Sequence, residues 1–138
     1  MKGECVPDSD HVLRHIKGRF IEGDEIDGGG FRLRETETEL SFNWIEYYRT
    51  LTSDEQLQKI RDTFPLEVKK KDKFVKLNVG RAKNHVSREH PEGKVIDFIE
   101  DGDDEVPSHC LMTVVPEIDE MIGDLLVECI LEVFPAIS

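Results

Sequence analysis

The segment VPSHCLMTVVP, from Val106 to Pro116, constrains the fold of this chain more than any other segment. Side chains alternate between the two faces of a strand, and in this segment both faces would be apolar. One face would carry Cys110, Met112 and Val114, and the other would carry Leu111 and Val115. Strands that are apolar on both faces are typical of sheets covered on both sides. We therefore predict a central strand of a layered sheet.

Further strands are predicted from alternation elsewhere in the chain. Strict alternation over residues 73–80 places Val75, Leu77 and Val79 on one face. Residues 94–101 form another expected strand, closed by an acidic loop. A Gly/Asp-rich turn predicts a small hairpin over residues 18–35, with Phe31 and Leu33 facing inward on its second strand. Residues 39–51 are predicted as a short strand that continues into an aromatic helix.

Helical spacing of apolar residues predicts four more helices, over residues 8–16, 52–64, 81–90 and 116–134. The second of these begins with a capping box, in which Ser53 is followed three residues later by Gln56. The last carries one wide apolar stripe and an acidic outer face. We expect it to be a long amphipathic C-terminal helix.

These elements predict the fold class. A chain of 138 residues fits a single compact domain, here residues 1–138. Strands and helices alternate through its C-terminal half, which favours an α+β or α/β fold. We expect a mixed sheet of about five short strands with the long C-terminal helix packed on it.

Charge and cysteine content exclude several functional classes. The net charge of −12 argues against a general nucleic-acid binder, because neutralising phosphates needs a surplus of Lys and Arg. The first twenty residues lack the apolar core of a signal peptide, and the sequence contains no run of about 18 apolar residues. Three cysteines without a Cys-x-x-Cys spacing favour a reducing compartment. We expect a cytoplasmic protein that binds no membrane and no cofactor.

Positive and negative charges are segregated along the chain. Residues 66–83 hold seven Lys or Arg against two acidic residues, a local excess of +5 in a chain of −12, which leaves −17 for the rest. The Lys-rich run includes Lys69, Lys70 and Lys71, and the outer face of the last helix carries Glu117, Glu120, Asp124 and Glu128. Such a run is common as a solvated turn beside an edge strand. It also suits docking of a charged partner, and we take both sets as candidate partner-binding residues.

His109 and Cys110 are the first candidates for chemistry. Adjacent residues of a strand point to opposite faces, so these two cannot act together as a nucleophile and its base. Cys110 is predicted as a core residue, because free cysteines are among the most buried residues. His109 follows a loop at the start of the strand, where it could serve as a general base or a hydrogen-bonded structural histidine.

Three other motifs are weighed against simpler explanations. His11 and His15 are four residues apart, which on a helix would suit two ligands of a metal site whose third ligand the sequence does not identify. We predict no metal site, and the role of this pair stays open. GDEIDGGG matches no phosphate-binding fingerprint and is predicted as a flexible turn. EDGDDE lacks the register of a calcium loop and is predicted as a solvated loop.

Two sets of residues resemble patterns found in other proteins. The chain resembles a loose pattern of small bacterial proteins, with matches at Leu13, Arg14, Ile16, Phe31, Leu40, Ser41, Phe42, His109 and Cys110. That pattern implies no activity. The order of Arg14, Ser41 and Glu46 also resembles the polar residues of ADP-ribosyltransferase-like toxin domains, although the glycine and tyrosine pattern of their pocket is not evident.

Two functional hypotheses follow. The first is a non-enzymatic interaction module: an acidic small subunit, adaptor or immunity-type protein of a bacterial defence or toxin-related complex, bound to a larger protein. Charge segregation and the aromatic run from Phe42 to Tyr48 favour it, since Trp and Tyr are common interface anchors, although Trp44 is also expected in the core. The second is a small enzyme or nucleotide-handling domain, ADP-ribosyltransferase-like or a hydrolase, that uses Arg14, Ser41 and His109. It requires these three side chains to line one pocket.

Overall fold

The computed structural model describes residues 2–34 and 37–137. Its strands are β1 (His11–Ile16), β2 (Ile21–Glu22), β3 (Glu25–Ile26), β4 (Leu40–Trp44), β5 (Lys73–Asn78), β6 (Val95–Glu100), β7 (His109–Val115) and β8 (Glu132–Pro135). Its α-helices are α1 (Ser53–Thr63), α2 (Val79–Glu89) and α3 (Glu120–Val127). Short 3-10 turns cover Gly18–Phe20, Gly28–Phe31 and Ile45–Tyr48.

Six of the strands form one sheet in the order β6-β7-β4-β1-β5-β8, and every neighbouring pair is antiparallel. β2 and β3 form a separate two-stranded hairpin. The prediction of a mixed sheet of about five strands is therefore wrong. Helix and strand patterns in sequence do not specify strand direction, which is decided by how connections of this length route the chain across the sheet.

One face of the sheet holds the larger core. Alternate residues of the central strands point into it, among them Val12, Ile16, Val75, Leu77 and Phe98. Helices α2 and α3 and the 3-10 turn Gly28–Phe31 cover this face. The opposite face is covered over β1, β5 and β8 by α1, which packs Ile60 against Leu13 and Phe74. Over β4 and β7 that face carries polar side chains instead, and the candidate site lies there.

The predicted helix over residues 8–16 is wrong, because this segment forms β1 between β4 and β5. Val12, Leu13, Arg14, His15 and Ile16 are all buried, as in an interior strand flanked by neighbours on both sides. A short apolar run does not distinguish a buried strand from a buried helix, and tertiary pairing decides between them. In a strand, His11 and His15 lie about 13 Å apart and cannot share a metal ion.

The predicted long C-terminal helix is also wrong. Helix α3 has only eight residues, with Asp119 as its N-cap, and the chain then turns and continues as β8. Strand β8 pairs with β5 along the edge of the sheet and brings Phe134 onto the smaller core. The apolar stripe of the sequence is thus divided between a helix and a strand, because pairing to an open sheet edge outweighs helix propensity.

The hairpin prediction is confirmed only in its first half. β2 and β3 turn at Gly23, which has a positive φ of 61°. The predicted second strand does not form: Phe31 is buried in a 3-10 turn. Glu35, the last residue of the predicted hairpin, lies outside the described part of the chain.

Several local predictions are confirmed. β5, β6 and β7 lie where alternation predicted them, and β7 is an interior strand with Cys110 and Met112 in the core. Helices α1 and α2 are also confirmed. The capping box of α1 begins one residue earlier than predicted, at Thr52, whose side chain accepts a hydrogen bond from the backbone N–H of Glu55.

Candidate functional site

Arg34 lies where three adjoining clefts meet. Among the described residues it alone lines all three. Its Nη2 donates to the ring Nδ1 of His15 at 3.0 Å and to the backbone oxygen of the same residue. Burial, and then the positive charge of Arg14, lowers the pKa of Arg34 to about 10. The guanidinium is therefore charged at neutral pH. The surrounding protein stabilises this charge less than water would.

His15 holds Arg34 in place as a neutral imidazole. An arginine can only donate hydrogen bonds, so Nδ1 of His15 accepts, and Nε2 carries the proton and donates to Asp72 Oδ2 at 2.8 Å. Burial lowers the pKa of His15, and the hydrogen bond to Asp72 opposes this effect. The ring is also packed against Phe64 and Phe74. Asp72, His15 and Arg34 therefore form a chain of hydrogen bonds that fixes the guanidinium.

Asp72 also joins the two basic segments of the site. Its Oδ1 accepts from the backbone N–H of Gly18 at 2.9 Å, and its Oδ2 accepts from the backbone N–H of Lys69 at 3.0 Å. Burial raises the pKa of Asp72, but the hydrogen bonds from Lys69, Gly18 and His15 outweigh this and lower it. The carboxylate thus brings the turn after β1 against the Lys-rich loop before β5.

Two of the three clefts are strongly basic. The outer basic cleft has a volume of about 740 Å³ and is lined by His15, Lys17, Gly18, Arg19, Arg34, Leu66, Glu67, Lys69, Lys70, Lys71 and Asp72. The inner basic cleft has a volume of about 400 Å³ and is lined by Arg14, Lys17, Arg19, Phe20, Gly29, Gly30, Arg32, Leu33 and Arg34. Among the described residues, these linings together contain eight of the 18 Lys and Arg residues of the chain, against two acidic residues.

The third cleft, which we call the dyad cleft, has a volume of about 310 Å³ on the polar part of the sheet. His15, Arg34, Glu37, Thr38, Glu39, Ser41, Asn43, Phe64, Pro65, Leu66, Asp101, Val106, His109 and Leu111 line it. His109 and Asp101 are the dyad: Nδ1 of His109 lies 3.1 Å from Asp101 Oδ2. Arg34, His15 and Leu66 connect this cleft to the outer basic cleft.

The structure brings together two of the three residues predicted for an enzyme. Ser41 and His109 both line the dyad cleft. Arg14 does not, because it is 1% exposed and all of its guanidinium nitrogens are used internally. Nε donates to the oxygen of Gly30, Nη1 to Glu37 and to the oxygen of Ser41, and Nη2 to Glu37 and to the oxygen of Arg32. Arg14 therefore organises the segments around the clefts, and among the described residues Arg34 is the arginine that lines the dyad cleft.

Other candidate residues have structural roles. Cys110 is fully buried, which raises the pKa of its thiol and confirms it as a core residue. Glu46 binds His11, accepting from its backbone N–H and contacting Nδ1 at 2.7 Å. Trp44 packs against the larger core and donates from Nε1 to Asp10. In GDEIDGGG, Gly23 is exposed at the β2–β3 turn, whereas Gly28, Gly29 and Gly30 are buried in a 3-10 turn and are not a flexible loop.

A second cluster, His90, Glu92 and Asp119, has the composition of a metal site but the bonding of a structural clip. His90 Nδ1 accepts from the backbone N–H of Glu92, so Nε2 carries the proton and donates to Asp119 at 2.9 Å. Lys94 also lies 2.9 Å from the Asp119 carboxylate. Because both ring nitrogens are occupied and a cation is already present, this cluster ties the end of α2 to the start of α3.

The predicted partner-binding residues lie on exposed surfaces. Glu117, Glu120, Asp124 and Glu128 are exposed in or beside α3. Glu128 contacts His85 at 2.9 Å, and Glu120 lies 3.9 Å from Arg32. Lys69, Lys70 and Lys71 are exposed along the outer basic cleft. Partner binding by either set stays a prediction.

Sequence reasoning missed Lys17, Arg19, Arg32 and Arg34 as site residues. They belong to two short basic pairs, KGR and RLR, that are separated in sequence from the Lys-rich run. For Lys17 and Arg19 the signal was their position on either side of Gly18, at which the backbone can approach a neighbouring segment closely. Only the pairing of β1 with β5 brings these residues next to Lys69–Lys71.

Comparison of the chain with protein-family models, curated proteins and solved structures finds no match. Within the described part of the chain, the helices are all too short or too polar to cross a membrane.

Proposed function

We propose that this protein binds a small phosphate-bearing ligand in the two basic clefts, with Arg34 as the central contact. The observation that carries the proposal is that, besides the buried Arg14, six further Lys and Arg side chains of the described residues line the two basic clefts around the guanidinium of Arg34, which His15 and Asp72 hold in place, in a chain of net charge −12. Guanidinium groups match the geometry of phosphate oxygens and often bind them through two parallel hydrogen bonds.

The preorganised position of Arg34 supports binding. The described side-chain hydrogen bonds of Arg34 use Nη2, so Nη1 and Nε have no hydrogen bond to another described residue. Burial and the charge of Arg14 destabilise the charged form of the Arg34 guanidinium. A bound anion therefore stabilises this guanidinium more than it would stabilise one in water. Because His15 and Asp72 already restrict the side chain, less conformational entropy is lost when the ligand binds.

The size and charge of the site favour a small ligand over a polymer. Clefts of about 400 and 740 Å³ are in the range of small-molecule sites. Outside them the chain is strongly acidic, which would repel a long nucleic acid that extended beyond the site. We therefore propose a ligand with one or a few phosphate groups, such as a nucleotide.

Calorimetric titration with inorganic pyrophosphate and with ATP tests this proposal. Replacing Arg34→Gln removes a charge-assisted contact worth roughly 1.5–3 kcal/mol, so we expect the Kd to rise roughly ten- to a hundredfold. Lys59→Gln, which removes an equal charge from the exposed face of α1, serves as the matched control. A Lys70→Gln/Lys71→Gln variant weakens binding without disturbing the His15 contacts.

The proposal would be contradicted if neither pyrophosphate nor ATP binds the unmodified protein. It would also be contradicted if both ligands bind the Arg34→Gln and Lys59→Gln variants equally well. Weaker binding at higher salt is expected from the same electrostatics, because ions screen exposed charges.

A second candidate function is docking of a basic protein surface on α3, in keeping with an interaction module. The specific observation is that Met121 is 44% exposed between the exposed carboxylates of Glu120 and Asp124. Methionine is enriched in protein interfaces, whose rims are polar. Both candidate functions are proposed for a cytoplasmic protein, the compartment that suits three unpaired cysteines.

Charge reversal tests this second function. A tagged protein should retain a stoichiometric partner at physiological salt and lose it in the Glu120→Lys/Asp124→Lys variant, because like charges across an interface repel. Glu22→Lys/Asp24→Lys makes the same change of charge on the exposed β2–β3 hairpin and should retain the partner. A partner that both variants retain, or the absence of any, would rule this function out.

A further inference from the structure

His109 is held in one tautomer with its second nitrogen available. Nδ1 lies 3.1 Å from the Asp101 carboxylate and 3.3 Å from the Asp101 backbone oxygen. Both neighbours are acceptors, so Nδ1 carries the proton and Nε2 has a lone pair. Nε2 makes no hydrogen bond to another described residue, and His109 lines the dyad cleft. An imidazole oriented by a carboxylate in this way is the usual arrangement of a general base.

Polar groups surround His109 on the same face of the sheet. Asn43 lies directly opposite it across the β4–β7 pairing, and Ser41 lies two residues further along β4. The hydroxyl of Ser108 donates to Oδ1 of Asn43 at 3.0 Å, so the amide NH₂ of Asn43 is the group available as a donor in the cleft. Side chains two residues apart on one strand share a face, so the hydroxyl of Ser41 lies on the same side of the sheet.

The remaining walls of the dyad cleft join it to the phosphate site. Arg34 lines both, so a phosphate bound to Nη1 and Nε, which have no hydrogen bond to another described residue, lies at the boundary between the outer basic cleft and the dyad cleft. Phe64, Leu66 and Leu111 provide apolar surface in the same cleft. Arg34 and His109 therefore line one cleft that is partly apolar.

We propose that the dyad cleft hydrolyses a phosphate ester, with His109 as general base and Arg34 holding the phosphoryl oxygens. This inference rests on the proposed binding of a phosphate-bearing ligand. Nε2 of His109 takes a proton from water as the water oxygen bonds to phosphorus. The bond from phosphorus to the ester oxygen breaks, and the imidazolium returns its proton to that oxygen. The products are an alcohol and a phosphate, and the reaction consumes one water without any change of oxidation state.

The other residues have distinct roles in this step. Arg34 stabilises the charge that develops on the phosphoryl oxygens, as fixed cations do in phosphoryl transfer. Asn43 donates a hydrogen bond to the same oxygens or to the leaving group. Asp101 is a positioning residue that holds the productive tautomer and stabilises the imidazolium once it forms. Ser41 accepts or donates a hydrogen bond to the attacking water.

The test measures release of p-nitrophenol from bis(p-nitrophenyl) phosphate and from p-nitrophenyl phosphate. General base catalysis contributes about 10²–10⁴-fold, so we expect His109→Gln to lower kcat by a hundredfold or more on one of these probes. Its affinity for pyrophosphate, measured by calorimetry, should stay within about twofold. His85→Gln is the matched control, because His85 also pairs with a carboxylate but lies in α2 on the opposite side of the sheet.

Asp101→Asn separates a positioning role from a structural one. We expect a lower kcat, an unchanged KM and a shift in the ¹⁵N signals of the His109 ring, which report its tautomer. An unaltered tautomer with unaltered kcat would remove Asp101 from the mechanism and overturn the dyad.

The outcomes distinguish this inference from the proposed function. Hydrolysis is overturned, and ligand binding left intact, if pyrophosphate binds but neither ester releases p-nitrophenol. The same conclusion holds if the His109→Gln variant releases p-nitrophenol as fast as the unmodified protein. Pyrophosphate and ATP that do not bind overturn the proposed function and this inference together.

Discussion

At the scale of single residues, the buried pair of Arg14 and Glu37 does most to organise the site. Nη1 of Arg14 lies 2.8 Å from Glu37 Oε2, and their side chains are only 1% and 6% exposed. Glu37 also accepts from the backbone N–H groups of Arg34 and Ser41. The pair therefore joins β1 to the segments that carry both the phosphate contact and the polar part of the sheet.

The acid stability of the protein should report this pair. Burial raises the pKa of Glu37, but hydrogen bonds from Arg14, Arg34 and Ser41 outweigh it and lower the pKa from 4.5 to about 2. A folded-state pKa below the unfolded one stabilises the fold above about pH 4.5, and this contribution is lost as the pH falls towards about 2. We expect about 3 kcal/mol to be lost over this interval.

Urea unfolding between pH 7 and pH 2 measures this effect. Glu37→Gln should be less stable at pH 7 and show a flatter dependence on pH, because Gln does not titrate. Glu22→Gln, at an exposed position of β2, should follow the unmodified protein. Parallel pH curves for the protein and its Glu37→Gln variant would show that Glu37 does not contribute in this way.

At the scale of elements, the closest packing lies between α3 and the glycine turn Gly28–Phe31. A Cβ added at Gly123 would lie 2.6 Å from the backbone oxygen of Gly28, and one added at Gly28 would lie 3.2 Å from the backbone nitrogen of Asp124. The turn is itself held by Asp27, which accepts from the N–H of Gly29. Its Gly30 accepts from Arg14, so the position of the turn is coupled to the inner basic cleft.

Gly123→Ala therefore distinguishes packing from helix propensity. Propensity alone would stabilise α3 by about 1 kcal/mol. The contact with backbone at 2.6 Å opposes this, and overpacking of this kind costs about 1–3 kcal/mol. We expect a net loss of up to about 2 kcal/mol in thermal or urea unfolding. A control at the exposed Ser87→Ala in α2 should be neutral or slightly stabilising, and a stabilised Gly123→Ala protein would show that the turn moves away freely.

At the scale of the whole molecule, the fold concentrates positive charge that the sequence distributes. The basic linings combine residues from the end of β1, from the segment after the glycine turn and from the loop before β5. The rest of the chain is strongly acidic, so anions are attracted near the clefts and repelled by the acidic surface around them. A small anion is drawn to one place, and a long polyanion gains contacts there only by approaching acidic surface.

The same distribution relates the two candidate functions. The acidic side chains of α3 lie over the larger core, and the Lys-rich loop lies beside the smaller one. The two surfaces adjoin at one point, because Glu120 of α3 lies 3.9 Å from Arg32 of the inner basic cleft. None of the described residues that line the outer basic cleft belongs to α3.

The sequence alone determined the elements whose pattern is local. Alternation predicted β5, β6 and β7, and apolar spacing with caps predicted α1 and α2, because such periodicities directly reflect which side chains face a core. It also predicted that Cys110 is buried and that His109 lies at the start of β7, from which it reaches the polar face.

Only the tertiary structure decided the elements that depend on distant partners. Residues 11–16 form a strand because β4 and β5 pair on either side of them, and residues 132–135 form a strand because β5 offers an open edge. The site followed from the same pairing. The proposed binding role of Arg34 depends on His15 and Asp72, which hold its guanidinium in place. His15 is 19 residues from Arg34 in sequence, and Asp72 is 57 residues from His15. No local pattern encodes such distances, since they are set by strand order and register.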